Sequence, residues 1–194
     1  AALITGPATN TVTEDVAVVG GKLTASGSML VTDVDQNQSS FQTIVAPVGS
    51  TLGSLALGAD GLYSFTVLNA DAQYLGAADS KVDTFTVKSF DGTAKDVSFT
   101  TFGTNDAALI GDPTDADVTE SFQVVSGNLQ ASGTISVSDV DQNQSGFQTG
   151  VTSASGALGN LVLSVNGSYV YSVANAAVLY LSDAETKVDT FTIK

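Results

Sequence analysis

A chain of 194 residues with 43% hydrophobic and 13% charged side chains is long enough for two domains and too apolar for a disordered acidic segment. It contains no Cys, no His and no Arg, which excludes disulfides, thiol or imidazole catalysis, a Ser-His triad and zinc held by nitrogen and sulfur. The net charge of −14 has the wrong sign for binding a phosphate backbone or an anionic membrane surface, and oxygen groups are the metal ligands that are left.

The first residues, Ala1-Ala2-Leu3-Ile4-Thr5, lack the basic region of a signal peptide, so the chain reads as an excised fragment. No apolar run reaches the roughly 18 residues that mark a membrane-crossing helix, so no membrane insertion is expected. Short runs then alternate apolar and polar residues between Gly, Asp and Asn, the period-two pattern of half-buried strands. Residues 52–57 and 62–68 flank Ala59-Asp60-Gly61, a hairpin turn whose Gly can take positive φ. Residues 69–78, Ala-rich and containing Tyr74-Leu75, predict a helical turn crossing between sheets. A second hairpin joins 82–90 to 96–102 through Asp91-Gly92-Thr93, with Phe85, Val87, Val97 and Phe99 inward.

From Ala107 the sequence begins again. VTDVDQNQSSFQT at 31–43 recurs as VSDVDQNQSGFQT at 137–149, KVDTFTVK at 81–88 recurs as KVDTFTIK at 187–194, and one ungapped register aligns AALI and VTE as well. The boundary is therefore expected at Asp106-Ala107, giving modules 1–106 and 107–194. About seven short strands per copy predict an all-β fold, two tandem Greek-key β-sandwiches of immunoglobulin or cadherin type, with a single closed barrel as the alternative. In this register Lys194 matches Lys88, so residues 89–106 have no counterpart and the second module is expected to lack its last strand and expose unpaired backbone groups.

Acids form recurring clusters rather than a tail: Glu14 in VTED, Asp33-Val34-Asp35-Gln36-Asn37, and Asn105-Asp106, with Glu120 and Asp139-Val140-Asp141-Gln142-Asn143 repeating the first two. In an extended D-x-D string both carboxylates face one side, which suits a hard cation wanting six to eight oxygens. The same string also caps a strand through Asx hydrogen bonds, and a lone D-x-D divides evenly between these readings. It is not an EF-hand loop, because Gln38 and Ile44 stand where that loop needs Gly and Glu. Converging carboxylates about 4 Å apart repel by roughly 4 kcal/mol at an effective dielectric near 20, which favours calcium at the junction.

The string Gly103-Thr104-Asn105-Asp106-Ala107, with VTE, TDVD and FTVKSFDGT, resembles the VCBS repeat over nearly the whole chain. The resemblance implies tandem cadherin-like modules of large secreted biofilm or RTX-type adhesins on the Gram-negative cell surface, exported by a type I system. It also implies calcium between modules, with Glu14, Asn105, Asp106, Asp139 and Asp141 as ligands and Asn143 giving a carbonyl oxygen. Asp33, Asp35 and Asn37 would then serve a junction with a preceding module. There is no D-R-E motif, and Gly103 stands where cadherins often carry a further acid, so one or two ions per junction are expected.

These readings make the chain a calcium-stiffened spacer whose partners are neighbouring modules, and surface polysaccharide or another adhesin. A calcium-dependent polysaccharide-binding module is the alternative, though there is no Trp, and Tyr63, Tyr74, Tyr169, Tyr171 and Tyr180 fall in strand or corner contexts. An enzyme using paired carboxylates would have to draw on three Glu, Glu14, Glu120 and Glu185, in a repetitive chain, and is not expected.

Overall fold

The computed structural model describes residues 1–114 and 117–194, and the chain divides into two units, Ala1–Asp106 and Ala107–Lys194. Almost all regular structure is strand, and no helix among the described residues is long and apolar enough to cross a membrane.

In unit 1 the strands are β1 (Leu3–Ile4), β2 (Thr11–Thr13), β3 (Lys22–Ser28), β4 (Val31–Thr32), β5 (Ala46–Val48), β6 (Ser54–Leu57), β7 (Leu62–Leu68), β8 (Ser80–Lys88) and β9 (Ala94–Phe102). One sheet has the order β2-β9-β8-β5 and the other β3-β7-β6, with β1 and β4 forming a separate ribbon. The chain changes sheet between β3 and β5, between β5 and β6, and between β7 and β8, which is the Greek-key path of an immunoglobulin-type sandwich. The last crossing carries the short helix α1 (Asn69–Ala72), where residues 69–78 predict a helical turn.

Both predicted hairpins form, β6-β7 and β8-β9, in antiparallel register. Gly61 closes the first at φ +86°, and a side chain there would put Cβ 2.2 Å from the Met29 carbonyl oxygen. Alternation along β8 and β9 turns Phe85, Val87, Val97 and Phe99 inward, each at most 3% exposed. Phe99 stacks on Phe65 of the opposite sheet at 4.6 Å between ring centroids, and the edges of Tyr63 and Phe85 meet it at 5.6 and 6.2 Å. The core of unit 1 is thus one continuous cluster drawn from both sheets.

The same alternation places a carboxylate inside. Asp83 is 1% exposed and accepts the backbone N–H groups of Leu52 at 3.0 Å and Gly53 at 2.6 Å, tying the approach to β6 onto β8.

Unit 2 comprises β10 (Leu109–Ile110), β11 (Asn128–Thr134), β12 (Val137–Ser138), β13 (Thr152–Ser153), β14 (Asn160–Leu163), β15 (Ser168–Ala174) and β16 (Phe191–Thr192). The β11-β15-β14 sheet repeats β3-β7-β6 of unit 1, including the turn at Gly167 with φ +83°. The opposite sheet is reduced to β13-β16, and no described strand stands in the place of β9. The segment 117–119, equivalent to β2, has no strand either, because the ladder partner of β2 in unit 1 is β9. The core divides accordingly into two small clusters, one around Tyr169 and Phe147 and one around Leu129 and Val173.

Asp189 repeats Asp83, accepting the N–H groups of Leu158 and Gly159, the Tyr171 hydroxyl at 2.8 Å and Lys187 Nζ at 3.1 Å. Partial burial pushes its carboxyl up, but the Gly159 and Leu158 N–H groups, Tyr171 and Lys187 outweigh this and hold it at about 2. With the folded value below the unfolded one, this contribution is present above about pH 4 and is lost as pH falls through 4 toward 2. Acid titration followed by tyrosine fluorescence is expected to show unit 2 loosening in that window, and the loss is expected to disappear in Asp189→Asn.

Candidate metal centre

Glu14, Asp15 and Asp106 bring one carboxylate oxygen each to within 4.8 Å of one another. The site sits where β2 and β9 end side by side. Their parallel pairing continues one step beyond the strands, the Glu14 N–H donating to the Phe102 carbonyl at 2.9 Å. That bond fixes Glu14 against the segment 103–106, whose Thr104 N–H donates to Glu14 Oε2 at 3.2 Å. The Glu14 side chain is fully buried.

Asp15 reaches the cluster because the backbone turns left-handed there, with φ +57°, a conformation Asp tolerates better than most residues. Asn69 at the start of α1 clamps it: the Asp15 N–H donates to Asn69 Oδ1 at 2.9 Å, and Asn69 Nδ2 donates to Asp15 Oδ1 at 2.7 Å. Gln73, at the end of the same helix, bridges the two acids, donating to Glu14 Oε1 at 2.6 Å and to Asp15 Oδ1 at 3.1 Å. One short helix thus orients two carboxylates.

Three carboxylate oxygens at such separations repel pairwise by about 3–4 kcal/mol at an effective dielectric near 20. The donors are all hard oxygens from carboxylates, the set that calcium or magnesium prefers and that softer metals do not need. Gly103 has a packing reason for carrying no acid: a Cβ there would lie 2.1 Å from the Leu75 carbonyl oxygen.

The sequence reading placed Glu14 and Asp106 at this site and overlooked Asp15. The repeat comparison hid it, because unit 2 has Ser121 at the equivalent position. Unit 2 keeps the turn, with Ser121 at φ +59° and its N–H donating to Asn175 Oδ1, but has Leu179 in place of Gln73. The Glu120 Oε2 atom there is buried without a hydrogen-bond partner. Asn105 is exposed, and its Nδ2 donates to the Asp106 carbonyl oxygen.

The D-x-D strings depart from the extended geometry expected of them. Each is a bend, in which Asp33 Oδ1 accepts the Asp35 N–H and Asp139 Oδ1 accepts the Asp141 N–H, both at 2.9 Å. Asn37 and Asn143 follow with φ +62° and +63°, and Ser39 and Ser145 accept the N–H groups of Asp33 and Asp139 at 3.0 Å. These are Asx turns, so the first Asp of each string has one oxygen committed to the backbone. Asp33 Oδ2 is nonetheless buried with no hydrogen-bond partner, and Asp141 is 2% exposed with Gln144 donating to its Oδ2. Asp91 belongs to its hairpin turn, where hydrogen bonds from Ser89 and Thr93 hold its carboxyl well below the ordinary range.

No family model and no curated protein matches the chain. Among solved structures it is similar to protocadherin gammaB7 repeats EC3–6 (12% identity, 88% of this chain and 39% of that one, TM-score 0.46). It is also similar to the human desmocollin-1 ectodomain (12% identity, 97% and 41%, TM-score 0.37) and a Porphyromonas gingivalis W83 protein of unknown function (13% identity, 91% and 84%, TM-score 0.32). The chain spans about two fifths of the length of the two cadherin-type structures.

Proposed function

We propose that this chain is a pair of non-enzymatic spacer modules of an extracellular adhesive protein, stiffened where they join by calcium. The observation that carries the reading is the Glu14–Asp15–Asp106 cluster, because its third carboxylate comes from the last residue before the second module. An ion held there ties the linker to the base of unit 1 and removes backbone freedom from the connection. In this reading Asp139, Asp141 and Asn143 supply further oxygens from the second module, and Asp33 and Asp35 do the same toward a preceding one. The VCBS-type motifs support placement in a secreted, RTX-type biofilm adhesin of a bacterial surface. The absence of Cys and His from the sequence leaves stabilisation to cores and hard cations, which suits a calcium-rich exterior.

Small-angle scattering of the whole chain with calcium and with chelator tests the stiffening. Chelation is expected to broaden the distribution of end-to-end distances and lower the thermal midpoint of unit 1. A maximum dimension and a midpoint both indifferent to chelator would contradict the proposal.

A further inference from the structure

In unit 1, β2 near the start of the module and β9 at its end lie side by side and run parallel, with Thr11 opposite Thr100, Val12 opposite Thr101 and Thr13 opposite Phe102. Backbone bonds carry this ladder past both ends of β2. The Thr100 N–H donates to the Asn10 carbonyl at 2.8 Å, and the Glu14 N–H donates to the Phe102 carbonyl at 2.9 Å. Asn10 Nδ2 adds a bond to the Ser98 carbonyl at 3.2 Å. Val12, Glu14 and Thr101 are buried, so broken bonds are not readily taken over by water from the core side. Each strand also has an anchor of its own. β9 pairs with β8 from Ala94 to Phe102. Just ahead of β2, the core residue Tyr63 uses its hydroxyl to accept the Thr9 N–H at 3.0 Å and to donate to the Thr9 carbonyl at 2.5 Å.

The direction of pairing decides how tension acts on the ladder. The chain enters β2 at its N-terminal end and leaves β9 at its C-terminal end, toward residues 103–106 and unit 2. In a parallel pair those two points lie at opposite ends of the ladder. A pull on the chain from both sides therefore slides one strand along the other and loads all the bonds at once. Antiparallel strands would present the two points at the same end, where the bonds open one at a time. We propose that β2 and β9 form a tension clamp, by which unit 1 resists pulling along the chain and yields to a pull that peels β2 from β9. This gives the module a mechanical function, holding its fold while its neighbours in the chain pull on it. The bonds join backbone groups and need no ion, so the clamp does not rest on the calcium reading.

The test pulls the whole chain through pairs of introduced thiols, which the absence of Cys makes unique. Ala8→Cys with Ala107→Cys grips the points that shear the ladder, and Ala8→Cys with Ala94→Cys grips the N-terminal ends of both strands and peels it. All three alanines are exposed, and Ala8 lies beyond the β1-β4 ribbon, so the load reaches β2 directly. Both pairs act on the same fold, so the comparison reads direction and not stability. In single-molecule force spectroscopy, rupture is expected at a force at least about twofold higher in the shear pair, because several bonds fail together there and singly in the peel pair. The difference is expected to persist in chelator. Equal forces in the two directions would overturn the proposal. So would a difference that vanishes in chelator, since the resistance would then belong to an ion at Glu14, Asp15 and Asp106 and not to the ladder.

Discussion

Replacing Phe99 by Ala is expected to destabilise unit 1 by about 3–5 kcal/mol, the usual cost of removing a fully buried aromatic ring and leaving part of its volume empty. Phe99 is completely buried and touches three other aromatic rings from both sheets, so no neighbour can collapse into its place without breaking another contact. Since a domain of this size has on the order of 5–15 kcal/mol in total, the variant should have a markedly lowered denaturant midpoint. Tyr180→Ala, at a residue 63% exposed in unit 2, is the control and should cost less than about 0.5 kcal/mol. Amide exchange read separately for β8 and β11 assigns the loss to unit 1. A loss below about 1 kcal/mol would mean that the two sheets are not packed through this ring.

Asp83→Ala should cost about as much for a different reason. The substitution strands the N–H groups of Leu52 and Gly53 beside a buried strand, at about 1–3 kcal/mol for each unsatisfied group. Lys81, whose Nζ lies 4.0 Å from Asp83 Oδ1, loses its counter-charge as well. The variant that separates the charge from the hydrogen bonds is Asp83→Asn, whose amide oxygen still accepts from one N–H. Asn is therefore expected to fall between wild type and Ala in urea unfolding. If Ala and Asn unfold at the wild-type midpoint, the carboxylate does not hold the approach to β6.

Much of this architecture is legible in the sequence because it rests on local chemistry. The hairpins at Gly61 and Gly92 follow from turn residues between alternating runs, and the inward set of β8 and β9 follows from period two. The register of the repeat also matches Lys194 to Lys88, so the β9 segment has no counterpart among residues 107–194. The fate of residues 117–119 is less visible, since Asp117-Val118-Thr119 differs from Thr11-Val12-Thr13 at one position and departs from it in structure through a partner remote in sequence.

The candidate site was half legible. Glu14 and Asp106 stand out as acids at a module boundary, whereas Asp15 depends on a left-handed backbone turn and on Asn69 and Gln73, some 55 residues away in sequence. The bends of the D-x-D strings are not visible in the sequence, because an Asp that ligates and an Asp that caps a turn have the same letters, and the positive φ at Asn37 and Asn143 that shapes each turn is set by the fold. Asp83 is marked in the sequence by its position. It occupies the inward alternation of Phe85 and Val87, where a carboxylate survives only with partners, and the second copy keeps it as Asp189.

Calorimetric titration of calcium into the intact chain, beside Glu14→Gln, decides whether the Glu14–Asp15–Asp106 cluster holds an ion. Gln keeps an oxygen for the Thr104 N–H but removes the buried charge, so the variant should fold and lose the ion. Saturable binding to the wild type is expected, in the range of about 0.1–1 mM seen for extracellular calcium modules, weakened at least about tenfold in Glu14→Gln. Equal binding by the two proteins, or no saturable binding to the wild type at millimolar calcium, would contradict it.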